Sequence, residues 1–276
     1  MSKFFTACAI ALLLGPATAR ASVVADDNFS SYAPASTLGG QGGWTDTSTT
    51  THATILGAGG VAGSVGLSSA DNSIYWTSHP WNWATLSVGD VVVLSADFQA
   101  SSGATSFDDD RIGWGDDTTR TSSFQFGVQI DTADGGLNRY FRDMSGTGVT
   151  TNLIPSATIG TIVPNDWYHM EMDVTKLTSA LGANGAQLVV KFSHLDITGN
   201  IIGSPVTATV NVDTSLYRAL NSTVDPIYKD FNTQSGGFDN AHFSIASVPE
   251  PSSLVLGSVG ALLLIGFCSR RQRQTV

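Results

Sequence analysis

Cysteine is nearly missing from this 276-residue chain: Cys8 and Cys268 are its only two, and both lie in apolar stretches at the ends. The body between them has no disulfide to staple it, so its stability rests on a packed core. Glutamate is just as scarce. Glu171 is the only one in the body and Glu250 the only other, which excludes a catalytic pair of glutamates there. Basic side chains are few as well, with 13 Lys and Arg against 23 Asp and Glu. Five of the basic ones (Lys3, Arg20, Arg270, Arg271 and Arg273) belong to the ends. The body keeps eight basic and twenty-two acidic side chains, a formal charge of −14. That field repels phosphate backbones and disfavours acidic polysaccharides, so no nucleic-acid partner is expected. The five histidines, His52, His79, His169, His194 and His242, show no pair at zinc-ligand spacing. There is no Gly-x-Ser-x-Gly elbow of the kind that presents a nucleophilic serine.

What the body does contain is short runs with period-two alternation, cut every eight to fifteen residues by Gly, Ser, Thr, Asn and Asp. Val91–Phe98 is one such run, and Trp167–Val174 is another. Ser123–Ile130 places Phe124, Phe126, Val128 and Ile130 on one face. Leu188–Ile197 and Ile201–Val212 flank Thr198-Gly199-Asn200, which predicts a hairpin. Only Thr214–Leu220 reads as a short helix. Aspartate in place of glutamate favours turns over helices. These features predict one all-β domain, an antiparallel sandwich over residues 22–247, long enough to bury a real core.

The two ends differ from the body. Lys3, the apolar run Phe4–Leu14 and Ala19-Arg20-Ala21 form a signal peptide over 1–21, with Ala19 and Ala21 in the small-x-small pattern that signal peptidase cuts. Export through the Sec machinery is the expectation. At the other end, Pro249-Glu250-Pro251 precedes an uncharged apolar stretch ending at Cys268, followed by Arg270, Arg271 and Arg273. The eighteen residues from Pro251 span about 27 Å as a helix, a marginal match to a hydrocarbon core of about 30 Å. A transmembrane helix over about 252–269 is expected. The arginines anchor its end in the cytoplasm and leave the body outside.

Pro-Glu-Pro, apolar span and terminal arginines, in that order over 248–273, resemble the PEP-CTERM sorting signal of Gram-negative bacteria. Glutamine interrupts the basic run at Gln272 without removing its charge. The resemblance implies that residues 248–276 are recognised and processed by the membrane enzyme exosortase. The chain would then be delivered to the cell surface or into extracellular polysaccharide.

Within the body, Asp26-Asp27-Asn28-Phe29 with Gly39-Gly40-Gln41-Gly42-Gly43-Trp44, and the closing Gly237-Phe238-Asp239-Asn240-Ala241-His242-Phe243, resemble the first and last strands of concanavalin A-like, laminin-G-like jelly rolls. That likeness implies that the first and last strands lie together in one sheet. It also implies a structural calcium held by Asp239 with Asp26 or Asp27 or nearby backbone carbonyls. Glycosidases of this fold carry Glu-x-Asp-x-x-Glu. Here Glu171-Met172-Asp173 is followed by Lys176 at the last position, so that mechanism lacks a residue. Gln129-Ile130-Asp131 and Tyr140-Phe141-Arg142 resemble two strands of alginate-lyase-like jelly rolls, with aspartate where the histidine belongs. Asp108–Asp110 and Asp116-Asp117 are oxygen-rich but match no EF-hand spacing. Trp76, Trp81 and Trp83 can stack on sugar rings or fill the core. Pro80 interrupts their segment, so at least one of them is expected at the surface as a glycan platform. The expectation for the whole is a non-catalytic surface or matrix protein that binds glycan, with a polysaccharide lyase or hydrolase as the alternative.

Overall fold

The computed structural model describes residues 21–46, 52–68, 73–100, 110–115, 126–131, 136–142, 148–221, 227–232 and 236–247. Ala19, the sorting motif Pro249-Glu250-Pro251 and the arginines 270, 271 and 273 lie outside them, as does the span expected at 252–269. Among the described residues, no helix is long and apolar enough to cross a membrane.

Two antiparallel sheets face each other. The first holds β1 (Ala21–Asp27), β3 (Ile55–Leu56), β4 (Gly66–Leu67), β6 (Val91–Gln99), β11 (Trp167–Lys176), β12 (Ala186–Leu195), β13 (Ile201–Val212) and β15 (Phe238–Ala246). Its order is β13-β12-β11-β6-β15-β4-β3, with β1 also paired to β15. The second holds β2 (Trp44–Asp46), β5 (Ser73–Trp81), β7 (Asp110–Gly115), β8 (Phe126–Asp131), β9 (Gly136–Arg142), β10 (Gly148–Pro155) and β14 (Ile227–Asn232), in the order β10-β9-β8-β7-β14-β5-β2. In the second sheet β7 to β10 form a meander, while β14 lies between β7 and β5 and so brings together strands distant in sequence. First and last strands do meet: β1 runs antiparallel to β15 with Ala21 opposite Ala246 and Asp27 opposite Ala241. The hairpin predicted at Thr198–Asn200 is present between β12 and β13. The helix predicted over Thr214–Leu220 is instead a 3-10 turn at Thr214–Leu216 and one helical turn at Arg218–Asn221.

Alternation explains the core. Along β11 every second residue (Tyr168, Met170, Met172, Val174) is buried, while those between face outward. From the second sheet come Trp114, Phe126, Val128, Ile130 and Phe231, all at 0–1% exposure. Trp44 stacks on Trp76 at 5.0 Å, and Trp114 stacks on Phe126 at 5.4 Å. Trp81 meets Trp114 edge-on at 4.9 Å.

This arrangement overturns the tryptophan platform. Trp76, Trp81 and Trp83 are all buried, at 3%, 7% and 3% exposure, and a ring enclosed by other rings offers no face to a sugar. Pro80 does not end its strand. A register shift in the β14–β5 pairing between Trp76 and Trp81 absorbs it, and Trp81 returns to the core.

Candidate functional site

A groove of about 470 Å³ lies at one pole of the sandwich. Three segments build it. Gly60, Ala62 and Gly63 form one wall, Asn165–Trp167 form the floor, and the β12–β13 hairpin forms the other wall through His194, Asp196, Ile197 and Ile202. The floor is fixed by backbone hydrogen bonds. The Asn165 N–H donates to the Ala100 carbonyl and the Ala100 N–H to that of Asp166, both at 3.0 Å. Asn165 sits at φ 63°, a conformation asparagine tolerates better than most residues. The Gln99 side chain donates to the Asn165 carbonyl at 2.9 Å.

Trp167 begins β11 on its outward face, opposite Gln99. It is partly exposed. One edge lies on the Gly237 backbone, where a Cβ would come within 2.8 Å of the ring. Beside it, Phe192, Tyr168 and His194 form a stack, with ring centres 5.4 Å and then 4.7 Å apart. Tyr168 accepts the Val163 N–H at 2.8 Å. His194 Nε2 meets Asp166 Oδ2 at 2.7 Å. Asp196 accepts three hydrogen bonds within its own turn, from Thr198 Oγ1 at 2.6 Å, Asn200 N at 2.9 Å and Thr198 N at 2.8 Å. These hold its carboxyl below the usual value. The groove therefore combines an indole, an amide, two carboxylates and an imidazole, with exposed isoleucines at its rim. Among the described residues, no lysine or arginine lines it. His194 and Asp166 form a hydrogen-bonded imidazole–carboxylate pair at the groove.

From Trp167 a polar strip runs down the outer face of the first sheet. Asp97, 5% exposed, bonds His169 Nδ1 at 2.6 Å and accepts from Asn240 at 2.8 Å. Burial works against the His169 imidazolium, but its hydrogen bonds to Asp97 and then to Glu171 outweigh it and raise the ring to about 9. Glu171 is held at about 2, first by His169 and then by Lys191. Lys191 also bonds Asp173 at 2.7 Å, while burial pushes Asp173 up. Glu171 and Asp173 are thus tied to one lysine. The β11 pairings carry no register shift, so Lys176 falls on the opposite, inner face. There it donates to the Trp83 and Leu86 carbonyls at 3.1 and 2.8 Å. The glycosidase pattern has neither its third acid nor a common face. The side chains of Asp131 and Tyr140–Arg142 lie outside the described residues.

The residues expected to hold calcium do not fit it. Asp239, fully buried, accepts from Val61 N at 2.9 Å, Ser64 Oγ at 2.6 Å and Asn240 N at 2.7 Å. Burial raises it to about 6. Asp27 accepts from Phe29 N, Tyr32 and the Trp44 indole, and Asp26 is paired with His242. Three neighbours in the fold thus serve three separate hydrogen-bond sets. Among the described residues, no group of three His, Cys, Asp or Glu is placed to hold a metal ion.

Sequence reasoning missed the groove because its walls come from positions near 60, 165 and 195. Only the Thr-Gly-Asn hairpin and the Trp167-Tyr168-His169 strand start marked any part of it.

Fold and groove together define the class: an antiparallel jelly-roll sandwich. No protein-family model matches the chain, and no curated protein matches it. Among solved structures, the globular domain of T. cruzi calreticulin is similar at 9% identity over 90% of this chain and 100% of that one, with a TM-score of 0.45. The PL-14 alginate lyase from Aplysia kurodai matches at 11% over 82% and 100%, TM-score 0.41. The Lotus tetragonolobus seed lectin matches at 11% over 75% and 94%, TM-score 0.40. Likenesses this distant assign no activity.

Proposed function

We propose that this chain is an exported, non-catalytic surface or matrix protein that binds extracellular glycan through the groove at Trp167. In this reading its last residues are a PEP-CTERM sorting signal processed by exosortase after Sec-dependent export. The observation that carries the binding reading is the partly exposed Trp167 ring, fixed on Gly237 beside Asn165, Asp166 and Asp196. A flat apolar ring ringed by hydrogen-bonding groups suits a sugar, which has an apolar face and hydroxyl edges. The acidic, lysine-free lining favours neutral or amino sugars over uronates. The sorting reading is supported by the order of motifs over 248–273. The fold supplies a matching geometry: Ala21 and Ala246 are paired at the pole opposite the groove. A domain tethered there carries its groove away from the membrane.

The test is a glycan array probed with the exported protein and its Trp167→Ala variant. Selective binding that weakens about tenfold in the variant is expected for loss of one stacking ring. A silent array, or binding indifferent to Trp167, refutes the groove.

A further inference from the structure

We propose that the free edge of the first sheet, β13, joins this protein to a second copy of itself by antiparallel strand addition across a two-fold axis through Thr209. At twelve residues, β13 is the longest described strand. It ends its sheet, pairing only with β12 among the described strands. Open edges of this length are normally blunted by charge, proline or a bulge. Here Gly203, at φ 75°, and Pro205 interrupt the first part, next to a register shift between Phe192 and His194. From Val206 to Val212 the strand has no charge, proline or register shift, and no described strand covers its edge. No charged side chain occurs anywhere in Ile201–Val212, although the body carries −14. Copies that repel one another over most of their surface do not do so along this strand.

Two further observations point to a like partner. The run Val-Thr-Ala-Thr-Val-Asn-Val has the same pattern in both directions about Thr209. Val206 falls opposite Val212, Ala208 opposite Val210, and Thr207 opposite Asn211. Thr207, Thr209 and Asn211 are exposed on the outer face, while Val206, Ala208 and Val210 pack against the core. An antiparallel pair therefore keeps polar residues with polar and apolar with apolar, forming one sheet across two copies. The large exposed apolar side chains also gather at the ends of this strand. Ile201 and Ile202, at 48% and 49% exposure, lie at one end, with Ile197 at 91% in the adjoining turn. Leu216 at 52% and Leu181 at 53% lie at the other, on loops joined by the hydrogen bonds between Thr214 and Gly182. The same two-fold brings the Ile201–Ile202 end of one strand to the Leu216 end of the other.

β13 runs from the groove pole to the pole of Ala21 and Ala246. An antiparallel pair thus carries its tethers at opposite ends, a geometry that joins copies on facing surfaces or within a matrix.

The experiment uses the full chain with Cys8 and Cys268 replaced by serine and single cysteines introduced at exposed sites, oxidised by air and read on a non-reducing gel. Thr209→Cys lies on the axis, where facing residues of paired strands stand about 5 Å apart. It should give covalent dimer at least about tenfold faster than Val88→Cys, an exposed site away from β13. An equimolar mixture of Thr207→Cys with Asn211→Cys should cross-link faster than either alone. Adding Thr207→Lys and Asn211→Lys to Thr209→Cys should suppress its cross-link with the melting temperature unchanged. A Thr209→Cys rate no greater than that of Val88→Cys overturns the proposal. So does Thr207→Cys pairing with itself faster than with Asn211→Cys.

Discussion

Lys229 is completely buried in the sandwich. Its ammonium lies 4.9 Å from the Trp76 ring and 4.8 Å from the Phe243 ring and donates to the Ser78 carbonyl. Burial lowers it from 10.5 to about 7. The unfolded chain therefore binds this proton first as pH falls. Stability from this group is greatest above about 10.5 and declines as pH drops towards 7, by about 2 kcal/mol between pH 9 and pH 7. His169 acts in the opposite sense. Its folded value is raised from 6.5 to about 9, so its contribution is complete below 6.5 and is lost as pH rises through 9. That loss is also about 2 kcal/mol between pH 7 and 9. The two slopes nearly cancel, and the native protein should be almost flat across this interval.

Lys229→Met keeps the length and apolar stem of the side chain but removes the amine. At pH 7, relief of the desolvated proton site is worth about 4 kcal/mol. The lost charge-assisted hydrogen bond to Ser78 and the lost contacts with the Trp76 and Phe243 rings offset about 3 kcal/mol of it. The variant should be about 1 kcal/mol more stable at pH 7 and should lose about 2 kcal/mol on going to pH 9, once His169 is unopposed. Urea unfolding followed by tryptophan fluorescence at constant ionic strength, at half-unit steps from pH 6.5 to 9, measures both. His169→Gln should give the mirror image, a profile that rises with pH. A Lys229→Met protein less stable than wild type at pH 7, or as flat as wild type, refutes this account of the buried lysine.

Asp239→Ala strands the Val61 and Asn240 N–H groups and the Ser64 hydroxyl, at a cost of about 2–3 kcal/mol; a loss under half a kcal/mol in the same urea assay counts against that role. Removing 248–276 should leave an exported, folded domain that is released to the medium, as cell fractionation and circular dichroism would show; retention at the surface would contradict the sorting signal.

Much of the architecture was legible in the sequence because strand alternation is a local signal. Tyr168, Met170, Met172 and Val174 sit at every second position, and that spacing sends them to one face whatever surrounds them. The same holds for Phe126, Val128 and Ile130. The absence of cysteine and the opposed charge of body and tail are matters of composition and need no coordinates. Burial of the tryptophans was not legible. Trp81 lies one residue after a proline, and whether its ring meets solvent or Trp114 depends on a register shift against β14. Nor could the sequence say which aspartates converge. Asp26 and Asp27 are adjacent, and adjacent strand residues point to opposite faces, so one meets His242 while the other meets Trp44. By itself the sequence determined periodicity, charge and the motifs at the ends. Only the tertiary structure decided the groove at Trp167 and the open edge of β13. Both depend on segments distant along the chain and brought together by strand order, and pairwise register leaves no trace in local spacing.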